Sequence, residues 1–489
     1  MSFRPLTVLT TLACASLLAT TSLAQTPTVP AAPSPGAPAP TAPASTPAPA
    51  PAVGDAPVGE VSRTLEQKLQ IMMSGQGLTS ETVVQKALQN SDVLEAKRQA
   101  IESADWSLEQ ARASFFPQLT VYARYKRYSH IEPPVLGPGF SFPIFENEYA
   151  AGAQLNVPLS DYVMRLGNAV SAARAAKDAT LLETKTARAA VARDARVAYY
   201  QWIRAQGTEL VASQALAQAQ GHLKDTQNAF AAGLVSKADV LRAQSQEKSI
   251  ELFLERSRTG VLLSLERLRS MMKDHKTPKF EVGENVIEEL GPGNWPNPDA
   301  AYAEALASRP ELQSLQALER SAHDQATLSR KANWPRLDGQ ANAMYINPHP
   351  RYIPPNDVFK GSWDVGITLS WTPTNIFGNE AAAHSAKAKA AEIASQRNAL
   401  EEALRMEIQQ ALQAVKEEEF AITATRQGLT SAEEGYRVRR ELYRIGRATL
   451  VEVMDAETEL TRARLEAVNA HVDYRIARAE LNHALGRNP

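Results

Sequence analysis

The sequence predicts a mainly α protein with a membrane β-barrel, built from a duplicated helix–strand–strand–helix unit that closes only as an oligomer. Three observations carry this. First, the chain is written twice: Ala87-Leu88, a helical stretch and Phe115-Phe116-Pro117-Gln118-Leu119 return as Ala305-Leu306, a matching stretch and Asn333-Trp334-Pro335-Arg336-Leu337, an offset of about 215 residues. Phe230-Ala231-Ala232-Gly233 followed by Asp239-Val240-Leu241 is likewise answered by Tyr443-Arg444-Ile445-Gly446 followed by Glu452-Val453-Met454. Second, inside each copy the helical period gives way twice to a period of two. Third, each copy then resumes as a helix far too long for a globular core.

The N-terminus has Arg4, an apolar run from Leu6 to Leu18 and the small-residue site Ser22-Leu23-Ala24 before Gln25, the pattern of a secretory signal peptide over 1–24. The one cysteine, Cys14, lies inside that run, so cleavage after Ala24 leaves no thiol and no disulfide. Leu12-Ala13-Cys14 faintly resembles a lipobox, but the apolar run before it is short and another follows. Residues 25–60 form a Pro/Ala-rich linker: from Thr26 to Pro57 nearly every residue is Pro, Ala, Thr or Ser, which offers nothing to bury and predicts an extended or disordered segment of about 3.1 Å per residue.

The first repeat spans 61–273. A helix is expected from about Ser80 to Ser114, ended by Pro117, which cannot continue the hydrogen-bond ladder. Strands follow at about 118–128 and 149–159. In the first, Leu119, Val121, Ala123 and Tyr125 oppose Thr120, Tyr122, Arg124 and Lys126; in the second, Tyr149, Ala151, Ala153, Leu155, Val157 and Leu159 oppose Gly152, Gln154 and Asn156. The loop between them carries Pro133, Pro134, Gly137, Pro138 and Gly139. From Tyr162 to Phe230 no proline interrupts the helical pattern, which at 1.5 Å per residue is about 100 Å. Gly233 breaks it, and a second helix runs from about Ser236 to Met272. A connector over 274–298 has room for one short strand around Lys279 to Val282.

The second repeat, 299–486, restates this order. A helix from about Asp299 to Asn333 precedes strands at about 336–346 and 362–371, with Asn347-Pro348-His349-Pro350 opening the loop between them. In the last strand Trp363, Val365, Ile367, Leu369 and Trp371 form one face, with aromatics at both ends as on a strand that crosses two membrane interfaces. The long helix from about Asn379 to Tyr443 repeats Ile408, Val415, Ile422, Leu429, Tyr436 and Tyr443 every seven residues. Its partner, Thr449 to Leu485, repeats Val453, Leu460, Ala467, Tyr474 and Leu481. That is the spacing of helices that supercoil.

A formal net charge of −2 argues against a nucleic-acid partner held by bulk electrostatics. The eight histidines include no HExxH, and no phosphate loop, nucleophile elbow or metal-spaced cysteine set occurs, so neither an enzyme nor a cofactor or metal site is expected. His349, between prolines in an expected external loop, reads as incidental. Beyond the leader no stretch reaches the roughly 18 apolar residues of a membrane helix, so any entry into a bilayer must be by strands. Four strands cannot close a sheet in lipid; three copies give twelve strands and one shared barrel.

The paired aromatic-Pro-x-Leu exits, in register with the paired Gly-x5-acidic-Val turns, resemble the TolC-type outer-membrane efflux family from about Ser80 to Gly486. The resemblance implies a homotrimer with a twelve-stranded barrel in outer-membrane lipid and a long periplasmic α-helical coiled-coil barrel. It also implies a periplasmic adaptor (membrane fusion protein) and an inner-membrane pump of RND or ABC type as partners. The chain would then be the exit duct of a tripartite efflux or type I secretion system. By this similarity Gly233, Leu234 and Val235, with Gly446, Arg447 and Ala448, form the tips gripped by the adaptor. Glu452 and Asp455, three apart on one helix face, sit at the family's acidic aperture. Asp239 and Tyr443 match positions that link neighbouring coils in the closed state. The family's additional arginine aligns with Ala448, with Arg447 adjacent. Trp363, Trp371 and Tyr149 are the expected membrane-interface aromatics, and Arg437, Arg439, Arg440, Arg444 and Arg447 read as solvated surface. A rival reading, a periplasmic coiled-coil adaptor or structural rod, shares the heptads and leader but has no need of amphipathic strands.

Overall fold

The computed structural model describes residues 77–132, 143–287 and 293–487; the leader, Cys14, the proline-rich linker and Pro133 to Gly139 lie outside these residues. The elements are α1 (Ser80–Asn90), α2 (Asp92–Ala113), β1 (Gln118–Arg127), β2 (Asn147–Val157), α3 (Leu159–Met164), α4 (Leu166–Ala231), α5 (Lys237–Met272), α6 (Pro298–Ser308), α7 (Pro310–Lys331), β3 (Arg336–Asn347), β4 (Lys360–Ser370), α8 (Asn375–Arg444) and α9 (Leu450–Ala484).

Three helices expected to be continuous are interrupted, the one from Tyr162 to Phe230 only near its start, at Arg165 between α3 and α4. The stretch from Ser80 to Ser114 breaks at Ser91, whose extended backbone lets its side chain accept from Leu94 N and cap α2. The stretch from Asp299 to Asn333 breaks at Arg309, because Pro310 disfavours helical geometry in the residue before it and then starts α7. The expected strand at Lys279 to Val282 is reduced to a single parallel bridge between Leu78 and Val282.

The long helices α4 and α8, 66 and 70 residues, span the whole helical layer. The other positions are filled end to end by shorter pieces. Next to the sheet the packing order is α2–α4–α7–α8, matching β1–β2–β3–β4; away from it the order is α5–α4–α9–α8. The result is a wall of helices one layer thick. Its main core sits where α1, α4, α5 and α9 meet, around Tyr199, Trp202, Ile203, Leu268 and Leu460, with Tyr199 donating to Leu78 O at 2.7 Å. A second core joins α6 to α8 and α9 through Ala301, Ile408, Leu412, Val415 and Leu481. Of the two heptad rows, Ile408, Val415, Leu429 and Tyr436, and Val453, Leu460, Tyr474 and Leu481, are buried. Glycine permits the close approach of α4 to α9 at one point: a Cβ on Gly207 of α4 would lie 2.7 Å from Val468 Cγ1 of α9.

Candidate membrane sheet and helix-tip aperture

The sheet is a four-stranded antiparallel meander whose register places residues of like polarity opposite one another. Along one face the cross-strand rows include Val121–Ala153–Ala343–Trp363 and Leu119–Leu155–Ala341–Val365, continued by Val157–Gly339–Ile367 and Leu337–Leu369. Along the other they are Gln118–Asn156–Gln340–Gly366 and Thr120–Gln154–Asn342–Asp364, with Asn342 Nδ2 donating to Asp364 at 3.0 Å and Arg124 to Glu148 at 2.9 Å. On the apolar face Val121, Trp363, Val365 and Ile367 are 71–75% exposed, so that face is covered by nothing in the chain itself. The six apolar rows from Tyr125–Tyr149 to Leu337–Leu369 span five two-residue steps. That is about 33 Å along the strands, or about 25 Å of height at a barrel tilt near 40°.

Aromatics mark both ends of this band. At the end away from the helices Tyr125, Tyr149, Phe359 and Tyr345 form a chain of rings 5.0, 6.3 and 5.3 Å apart. Trp363 lies one row further in, opposite Ala343, so of the three expected interface aromatics only Tyr149 belongs to this chain. Phe359, just outside β4, was not singled out from the sequence because it stands outside the alternating run. At the helical end Phe116, Trp334 and Trp371 are exposed, and Trp371 Nε1 donates to Asn333 O at 3.0 Å.

At the far end of the wall the two helix reversals are built alike. α4 ends with Gly233 at φ +78° and α8 with Gly446 at φ +73°, a conformation that glycine adopts without a Cβ clash. Leu234 N donates to Ala229 O and Gly233 N to Phe230 O, both at 2.9 Å; Arg447 N donates to Leu442 O at 2.8 Å and Gly446 N to Tyr443 O at 2.9 Å. Each is a Schellman closure. The next helix starts with a capping box: Ser236 with Asp239 on α5, and Thr449 with Glu452 on α9. Gly233, Leu234, Gly446 and Arg447 are exposed, while Val235 and Ala448 are half-buried.

The acids at these tips therefore have a local task. The Asp239 carboxylate accepts from Ser236 Oγ at 2.7 Å and Ser236 N at 3.1 Å, and those bonds hold its pKa below the usual carboxylate value. Glu452 accepts from Thr449 Oγ1 at 3.0 Å. Glu452 and Asp455 both stay exposed on the first turns of α9. Tyr443 packs against the main core with its pKa raised by burial, with Thr226 opposing and nearby Asp239 and Asp225 adding to the rise. Within the chain, no direct hydrogen bond joins Tyr443 to Asp239 among the described residues. The basic cluster is mostly a solvated face, with Arg437 on Glu434 at 2.6 Å and Arg444 on Glu441 at 3.3 Å. His349 is buried, and its Nδ1 accepts from Arg351 N at 3.2 Å, a turn-holding contact.

Just inside the tips lies a group that sequence reasoning missed. Glu457 of α9 is 1% exposed, with one carboxylate oxygen unpartnered and the other 3.9 Å from His222 Nε2 of α4. The His222 ring is in turn 2.8 Å from the Tyr436 hydroxyl of α8. Burial pushes Glu457 up to about 7 and Tyr436 up to about 12, and lowers His222, so all three are held towards neutrality. The available signal was an acid on an apolar stripe, since Glu457 stands four residues after Val453 and three before Leu460.

Residues 83–272 and 301–487 match the family described as outer membrane efflux protein. The chain belongs to that family. No curated protein matches it by sequence. Among solved structures it resembles the Campylobacter jejuni CmeC outer membrane channel, with a TM-score of 0.71 at 16% identity over 89% of this chain and 91% of that one. The Vibrio cholerae outer membrane protein VceC gives 0.70 at 18% identity over 86% and 98%. The open state of the Neisseria gonorrhoeae MtrE outer membrane channel gives 0.68 at 16% over 87% and 93%.

Proposed function

We propose that three copies of this chain join edge to edge into a twelve-stranded barrel in the outer membrane. The helical walls then close below it into one periplasmic tube that passively conducts cargo delivered by an inner-membrane pump through a periplasmic adaptor. The observation that carries this reading is the sheet: one continuous apolar face about 25 Å high, one polar face, and free edges on β1 and β4. An open edge cannot remain in hydrocarbon, where its amides have no water to bond. Placed around a threefold axis, the polar rows line a wet pore. A structural rod leaves these strands without a purpose.

In this arrangement the Gly233–Val235 and Gly446–Ala448 reversals are the surfaces an adaptor engages. Glu452 and Asp455 become a ring of six carboxylates, two from each of three chains, which favours cations at the constriction. Glu452 also caps α9, so truncation to alanine confounds the two roles. Glutamine at this position still completes a capping box. Recording from the purified protein in planar bilayers therefore compares wild type with Glu452→Gln/Asp455→Asn. Discrete channels that favour cations and are blocked by multivalent cations in the wild type, with both properties lost in the double variant, support the reading. Unchanged selectivity and block in that variant remove the aperture assignment, and a bilayer-inert wild type removes the channel.

A further inference from the structure

Two cavities flank the seam between α2 and α4 where these helices leave the sheet. One, of about 610 Å³, is polar and reaches Gln118 of the polar strand face, Ala169 and Ala172 of α4, and Ser321 and Gln325 of α7. Its charged groups are paired: Asp161 lies 3.4 Å from Arg165 and 3.8 Å from Arg336, and Arg336 also reaches Asp338 beside the cavity at 2.8 Å. Nothing in it calls for a ligand.

The second cavity, of about 480 Å³, differs in position and chemistry. It is lined by Arg112, Phe115 and Phe116 at the end of α2, and by Tyr162, Leu166, Val170 and Arg174 across the seam. Leu166, Val170 and Arg174 follow at four-residue spacing along one stripe of α4. At about 100° per residue, that stripe lies well round the helix from Ala169 and Ala172 of the polar cavity. Phe116, 66% exposed, lines the cavity three residues before Leu119, the first apolar residue of β1, which is equally exposed. The groove therefore continues the uncovered apolar face of the sheet. Gly167 leaves its wall open, since a Cβ there would meet nothing within 4 Å.

Its charge is equally specific. Arg112 has only Glu109 of its own helix, at 2.7 Å, and Arg174 has no ion pair or hydrogen bond among the described residues. The two helices are antiparallel, α2 running to the sheet and α4 away from it. Side chains lean towards the N-terminus of their own helix, so Arg112 leans away from the sheet and Arg174 back towards it. Both guanidinium-bearing residues line the same apolar slot, Arg112 six residues before β1, about 9 Å of helical rise, and Arg174 eight residues into α4, about 12 Å from its start.

We propose that this groove binds one glycerophospholipid of the leaflet facing the helices, its phosphate between Arg112 and Arg174 and one of its two acyl chains along Phe116, Tyr162, Leu166 and Val170. This rests on the reading of the sheet as membrane-spanning. The volume is that of a small-ligand site. A second copy does not compete for it, because the copy that completes the sheet packs beyond the free edge of β1 and α2, whereas the groove lies between α2 and α4 of one chain.

The test uses the full-length protein purified in detergent, delipidated, and titrated with phosphatidylglycerol, phosphatidylethanolamine or inorganic phosphate under native mass spectrometry. One phospholipid retained per chain is expected, not displaced by inorganic phosphate. Arg112→Gln and Arg174→Gln should each weaken phosphatidylglycerol retention by about fivefold. Gly167→Leu, which fills the slot and leaves both arginines in place, should abolish retention of both lipids. Equal retention by wild type and all three variants overturns the site as unspecific annular lipid, and displacement by inorganic phosphate overturns it in favour of a bare anion site. Liposome flotation of the same samples separates the two layers of the argument. Protein that floats without a retained lipid sinks the groove alone, whereas protein that does not float sinks the membrane reading and the groove with it.

Discussion

Replacing Glu457 with glutamine should change how stability depends on pH. The carboxyl group is 1% exposed, faces His222 of α4 at 3.9 Å, and is surrounded by Tyr436 of α8 and by Arg464 of its own helix. Asp225, Glu433 and Arg440 complete the charged surroundings of this cluster. Burial raises Glu457 from 4.5 to about 7, with Arg464 opposing. The difference, 7 − 4.5 = 2.5, corresponds to roughly 3 kcal/mol per chain at about 1.36 kcal/mol per unit. Because the folded-state value lies above the unfolded one, this contribution is fully present below about pH 4.5 and is lost as pH rises through about 7. Glutamine never ionises, so it removes the dependence. His222 is depressed and shifts stability in the opposite sense in both proteins, so only the part of its shift that depends on the neighbouring Glu457 carboxylate enters their difference. The assay is the thermal midpoint of wild type and Glu457→Gln, followed by circular dichroism in detergent at about pH 5 and about pH 8.5. The variant should gain up to roughly 3 kcal/mol on wild type between the two conditions. A difference that is the same at both pH values refutes the buried neutral carboxyl.

Three further outcomes follow from geometry. Gly207→Ala should destabilise by about 1–3 kcal/mol by pressing on Val468, and Val468→Ala should restore most of the loss, both read by thermal unfolding. Val365→Arg on the exposed apolar face should cost about 2–4 kcal/mol of insertion near mid-membrane, read as loss from the outer-membrane fraction, while Thr368→Arg on the polar face should be tolerated. Gly446→Val and Gly233→Val meet open space, so their cost is the positive φ, about 1–2 kcal/mol or more. With the turns as the adaptor surfaces proposed above, export through the complete system should be lost in both variants while assembly stays intact on gels.

The sequence made the architecture legible wherever a period was clean. Alternation at Leu119, Val121 and Trp363 to Leu369 named the strand faces, and the seven-residue rows through Ile408 and Val453 named helices that pack as a wall. The breaks at Ser91 and Arg309 were harder to see, because apolar periodicity runs on through them and only a cap or a following proline stops the ladder. At the tips, Gly233 and Gly446 were readable as reversals. The capping roles of Asp239 and Glu452 were encoded in Ser-x-x-Asp and Thr-x-x-Glu, yet an acid near a helix start has the same sequence signature whether it caps, gates or does both. Glu457, His222 and Tyr436 come from three helices and meet only through packing, which no local pattern reports.

The closing of the sheet by three chains is tested most directly by cross-linking its free edges. Cysteines replace Thr120 on β1 and Ser362 or Thr368 on β4 in a Cys14→Ala background, and a flexible bismaleimide is added to whole outer membranes. Three chains closed on themselves give a denaturing-gel ladder of one, two and three chains that stops there. A ladder that ends at one chain, or that climbs past three, contradicts the shared barrel.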